Sequence, residues 1–168
     1  MKLLIVRHAD AGDQAEFAKT GEPDSLRPLS QKGRDQIQAA LDGLKKLVPS
    51  VDLIVTSPYT RAVQTAEIVH AAYGEEIPLE ATATLEPEVP PAEFGTWLRT
   101  QGEREVVAAV GHEPHLSTLA TWLMTGTDES RVELKKGGAC LLYFDKRVHK
   151  GGGVLEWLMG PKQLKAFG

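Results

Sequence analysis

The stretch that decides the fold is "MKLLIVRHADAGD", Met1 to Asp13. The run from Lys2 to Val6 is continuously apolar after its first residue rather than alternating, the pattern of a strand covered on both faces at the centre of a sheet. It stops at Arg7-His8 and gives way to small and polar residues. From Ala9 to Leu29 the chain carries Gly12, Gly21, Pro23 and Pro28, and reads as one long loop of the kind that is usually functional in a compact domain.

Two later stretches repeat the design. "VDLIVTSP", Val51 to Pro58, and "EVVAAVGHEP", Glu105 to Pro114, are apolar strands that end in polar, chemically capable residues. Ser30 caps a helix whose Ile37, Ala40, Leu41, Leu44, Leu47 and Val48 recur at helical spacing until Pro49. Ser57-Pro58 predicts a second helix starting at once, with Ala62, Ala66, Val69 and Tyr73 inward and Gly74 as its stop. Leu79 to Leu85 reads as a third strand, Pro91 to Gly102 as a short helix despite Gly95, and Pro114 to Met124 as a further helix. "ACLLYF" and "VLEWLM", on either side of Gly151-Gly152-Gly153, predict an antiparallel hairpin at one edge. The expected fold is α/β: a three-layer sandwich around a mostly parallel, mixed sheet, formed by one domain over residues 1–168.

Composition excludes several classes. With 42% hydrophobic and 25% charged residues the chain is ordinary for a globular domain. A net charge of -4 argues against nucleic-acid binding by phosphate neutralisation, and Trp97, Trp122 and Trp157 are too scattered for a base-stacking face. Cys140, the only cysteine, allows no internal disulfide and no CxxC zinc pair; it sits in an apolar strand pattern and reads as core. No run approaches the ~18 apolar residues of a membrane span, and nothing before Arg7 resembles a signal peptide. The expectation is a cytoplasmic, soluble, monomeric protein.

In parallel sheets ligands bind beyond the carboxyl ends of the strands. Three such ends carry Arg7-His8, Ser57 to Arg61, and Gly111-His112, so two arginines and two histidines converge on one rim. Forked guanidinium donors suit phosphate oxygens, and Arg61 near a helix start adds to the positive helix end. His8, fixed at the end of a buried strand, is the candidate nucleophile; His112 is the candidate donor to the transferring group. A metal-dependent hydrolase would have to use His8, Asp10, His112, Glu113 and His115, but the HExxH spacing is absent and two arginines would repel a cation. Cys140 is on no C-x5-R loop, and no P-loop motif exists. A phosphate-binding module without turnover would use the same pocket residues.

The quoted motifs resemble those of the histidine phosphatase superfamily nearly end to end, and its small SixA-type phosphohistidine phosphatase branch in particular. "LIVRHADAG" is similar to the family's nucleophile strand, "LRPLSQKGRDQ" to its first-helix start, "VTSPYTRAVQTA" to its second arginine motif and "VGHEP" to its second histidine motif. The resemblance implies phosphorylation of His8, a phosphate pocket completed by Arg7, Arg61 and His112, and a reach from Arg27 in "SLRPLS" to phosphate or substrate. It implies two-step transfer and hydrolysis with no metal or other cofactor, and a histidine-phosphorylated protein as substrate and partner. Larger members supply a glutamate as acid; Glu86 in "TLEPE" stands at the comparable place, with Glu88, Glu93 and Glu113 as rivals. A small-molecule phosphomonoesterase of the same superfamily is the alternative.

Overall fold

The computed structural model describes all 168 residues. Six strands, β1 (Lys2–Arg7), β2 (Leu53–Thr56), β3 (Leu79–Ala81), β4 (Val106–Gly111), β5 (Ala139–Tyr143) and β6 (Val154–Met159), form one sheet in the order β3-β2-β4-β1-β5-β6. The first four pair in parallel, whereas β5 runs antiparallel to both β1 and β6. The expected mixed sheet and edge hairpin are both present.

Alternation along each strand divides the core. Leu4, Val6, Ile54, Ala108, Val110 and Leu141 face α2 (Gln31–Leu47), α3 (Thr60–Tyr73) and the C-terminal α6 (Pro161–Phe167). Leu3, Ile5, Leu53, Val107, Ala109 and Leu142 face α4 (Pro91–Arg99) and α5 (His115–Thr125). Burial on both faces explains why these strands read as continuous apolar runs. Cys140 belongs to the second cluster, and burial pushes its thiol up to about 12.

Close helix contacts rest on glycine. A Cβ on Gly95 would sit 2.5 Å from the Trp122 ring, so this glycine lets α4 approach α5. A Cβ on Gly33 would collide with the Asp10 carbonyl, so the start of α2 lies directly on the loop after β1. Ser30 caps that helix, accepting from Gly33 N at 3.0 Å and donating to Asp10 Oδ2 at 2.6 Å.

Several boundaries differ from expectation. The loop after β1 contains α1 (Gln14–Ala18), started by the Asp13 side chain accepting from Glu16 N, and a 3-10 turn over Asp24–Leu26. The third strand ends at Ala81, because Thr82 turns the chain into a 3-10 segment, Ala83–Leu85. α3 starts at Thr60, not directly after Ser57-Pro58: Ser57 N still donates to Val110 O, so that residue remains tied to the sheet. No helix is long and apolar enough to cross a membrane.

Candidate active site

β1 and β4 end side by side, with Arg7 paired to Gly111 and His8 N donating to Gly111 O at 3.0 Å. That register places His8 and His112 together, their ring centroids 5.0 Å apart. β2, paired to the other side of β4, brings Ser57, Tyr59 and Arg61 to the same end. Arg7, His8, Arg27, Arg61 and His112 all line one cleft. A wider groove lies at the opposite end of the sheet, walled by Met1, Arg99, Arg104 and Arg147, and contains none of these residues.

His8 is buried, and its Nδ1–H donates to the Ala9 carbonyl at 2.7 Å. In the neutral ring this leaves the lone pair on Nε2. Burial, reinforced by Arg61, Arg7 and Lys136, pulls its pKa down to about 4, so the neutral form dominates near pH 7. Ala9 is itself fixed by its N–H to Thr65 Oγ1, at 3.2 Å on α3. His112 is driven lower still, first by burial and then by His8 and Arg61. Its Nε2 lies 2.8 Å from Ser57 Oγ, which accepts from Tyr59 N at 3.3 Å.

The arginines are held by different means. Arg7 Nη1 donates to Leu134 O at 2.8 Å. Arg61 donates through Nη1 to Asp24 O at 2.8 Å, pairs through Nη2 with Asp24 Oδ2 at 3.1 Å, and lies 5.2 Å from the centre of the Tyr59 ring. Asp24 Oδ1 also receives Arg27 Nε at 2.8 Å. Arg27 donates through Nη1 to Ala11 O and Gly12 O, so it is a buried organiser of the long loop as well as a cleft residue. Buried Arg7 Nε, Arg61 Nε and His112 Nδ1 have no protein partner. Unpaired buried polar groups are costly, and these three belong to residues that line the same cleft.

Glu86 ends the 3-10 turn after β3 and is not among the residues lining the cleft; the turn presents Pro87 and Glu88 there instead. Glu93 is exposed on α4. Glu113, half-buried, does line the cleft; its Oε1 is unpaired and burial raises its pKa. Of the four glutamates the sequence offered, Glu88 and Glu113 are the two that line the cleft. Lys136, absent from the sequence reading, also lines the cleft. Its only signal was "KKGG" ahead of an apolar strand, and an antiparallel strand brings its amino end, not its carboxyl end, to this rim. No group of three or more His, Cys, Asp or Glu side chains is placed to hold a metal ion.

Comparison with known proteins places the chain in a family. The family model described as histidine phosphatase superfamily (branch 1) matches residues 3–101, and the chain belongs to that superfamily. It is 27% identical over 172 residues to the phosphohistidine phosphatase SixA of Escherichia coli strain K12, an alignment spanning 98% of this chain and 97% of that one. An uncharacterized protein of Picosynechococcus is 34% identical over 140 residues, 82% of each chain. A structure of the protein histidine phosphatase SixA complexed with tungstate superposes with a TM-score of 0.82 at 26% identity, covering 98% of this chain and 99% of that one.

Proposed function

We propose that this phosphatase removes phosphate from phosphohistidine on a protein, through a covalent phospho-His8 intermediate and without a metal or other cofactor. The observation that carries the reading is His8 itself: buried at the end of β1, neutral, with Nδ1–H committed to Ala9 O and Nε2 left as the nucleophile, among Arg7, Arg61 and His112.

Nε2 attacks phosphorus and the P–N bond to the substrate imidazole breaks, giving phospho-His8 and a free histidine side chain; water then cleaves phospho-His8 to inorganic phosphate. Arg7 and Arg61 hold the phosphoryl oxygens, with Arg27 at the loop side. His112 Nε2 is engaged with Ser57 Oγ, a hydroxyl able to donate or accept there. His112, whose ring centroid lies 5.0 Å from that of His8 in the same cleft, donates to a phosphoryl oxygen. Imidazole can leave already protonated near neutral pH, whereas an alkoxide needs a proton in the transition state, so this substrate places little demand on an acid.

The same superfamily chemistry on a small phosphomonoester is the second reading, favoured by Glu113: a carboxyl with a raised pKa in the cleft can keep a proton for an alkoxide. Time-resolved dephosphorylation of a phosphohistidine protein beside an alkyl phosphate, in chelator, with wild type and His8→Ala, separates the two. The reading requires turnover that His8→Ala abolishes and a clear preference for the phosphohistidine protein. Equal efficiency on both substrates would move the assignment to the phosphomonoesterase, and phosphate binding without turnover would leave a binding module.

A further inference from the structure

The antiparallel half of the sheet reaches the cleft through the segment Leu134 to Gly138, just before β5. Its backbone is stitched to the nucleophile's strand: Gly137 N lies 3.2 Å from both Arg7 O and His8 O, and Arg7 N donates to Gly138 O at 3.0 Å. Leu134, buried in the core, receives Arg7 Nη1 through its carbonyl. Gly137 has φ +69°, the left-handed region that favours glycine, and a Cβ on Gly138 would lie 2.8 Å from Lys135 O and 2.9 Å from Met159 O. The main chain on either side of Lys136 is thus fixed beside His8, while its side chain stays partly exposed in the cleft.

The one protein anion near the Lys136 ammonium is Asp10, at 3.7 Å, beyond hydrogen-bond distance. Asp10 is also held through its other oxygen, Oδ2, which accepts from Ser30 Oγ at 2.6 Å and Gly12 N at 3.3 Å; the Lys136 ammonium faces Oδ1. A cation whose backbone is rigid, whose stem is long and whose one ion pair is longer than a hydrogen bond can turn to an incoming anion at small cost. Its field already reaches His8, where it is one of the influences that keep the ring neutral.

We infer that Lys136 is a fourth cation of the phosphate site, joining Arg7, Arg27 and Arg61: on substrate binding its ammonium leaves Asp10 and donates to a phosphoryl oxygen. This rests on the phosphatase reading above for its substrate, but not for its anion. Lys136 therefore binds ground state and transition state alike.

The test is calorimetric titration with inorganic phosphate, together with steady-state kinetics on a phosphohistidine protein, for wild type, Lys136→Met, Lys136→Arg, Asp10→Asn and His8→Ala. Thermal melts confirm that each variant is folded. Lys136→Met is expected to weaken phosphate binding and raise KM by about tenfold each, with kcat held within about threefold. Lys136→Arg should recover most of that loss, and Asp10→Asn should bind phosphate at least as tightly as wild type. Unchanged phosphate affinity in Lys136→Met would overturn the inference, as would equal weakening by Lys136→Met and Asp10→Asn, which would make the pair a brace for the loop. Failure of the wild type to dephosphorylate the protein would instead sink the phosphatase reading, and the phosphate titration would still decide Lys136.

Discussion

In the parallel half of the sheet, β2, β4 and β1 each deliver residues to the cleft from a carboxyl end: Tyr59 and Arg61, His112, then Arg7 and His8. Across β1 the direction reverses, and β5 reaches the same rim with its amino end, contributing the Leu134 carbonyl that holds Arg7 and the Lys136 side chain. In the proposed reaction the first half supplies the reacting group and the buried arginines. The second supplies a brace and an adjustable cation. The contrast teaches that a switch-point rule written for parallel strands finds the chemistry and misses what a mixed sheet adds from its antiparallel side.

Predictions can be ordered by how hard they press on that division. On the parallel side, His8→Ala should cost on the order of a thousandfold or more in kcat while leaving the fold intact, read from single-turnover rates and far-ultraviolet circular dichroism. A modest loss would remove His8 as nucleophile. On the antiparallel side, Gly138→Ala should destabilise the protein by about 2 kcal/mol, because its new Cβ meets two backbone carbonyls; denaturant unfolding measures this.

Acid should silence the parallel side through protonation of His8. Its folded pKa, about 4, lies below the ordinary histidine value of 6.5, so the nucleophile stays neutral through pH 5 to 7 and the rate falls below about pH 4. The same sign governs stability: in the window between 6.5 and about 4 the unfolded chain binds protons that buried His8 and His115 do not, so stability drops as pH falls through it. Single-turnover pH profiles, paired with unfolding at each pH, separate the two effects.

Glu113→Gln should slow alkyl phosphate hydrolysis by about tenfold or more while leaving phosphohistidine turnover nearly unchanged. Equal loss on both would make Glu113 a support for its neighbour Arg7, not a proton donor. The smallest effect concerns His115, buried on α5 with neither ring nitrogen paired. His115→Leu should flatten the decline of stability between pH 6.5 and 4 with little change in activity.

Much of this was legible in the sequence because burial on both faces writes itself as apolar runs, and because each parallel strand announces its end with a polar motif. Arg7-His8, the Ser57 to Arg61 segment and His112 were found that way. Short helices were not legible: α1 has no buried residue, and α6 buries only Leu164, so neither leaves a periodic apolar stripe. α6 packs on α2 through Gly43, where a Cβ would strike the Leu164 carbonyl, and a missing side chain carries little signal. β3 ends at Ala81, shorter than the apolar pattern predicts, and Glu86 caps the 3-10 segment that follows it. Arg27 was read as a phosphate or substrate contact; its bonds to Asp24, Ala11 and Gly12 add a loop-organising part that only the folded chain reveals.

The most direct measurement is rapid-quench trapping with a phosphohistidine protein labelled in its phosphoryl group. The account predicts a transient, acid-labile and alkali-stable label on His8, formed at least as fast as phosphate release and absent from His8→Ala. Phosphate release at the wild-type rate with no label on His8, or with the label on another residue, would contradict it.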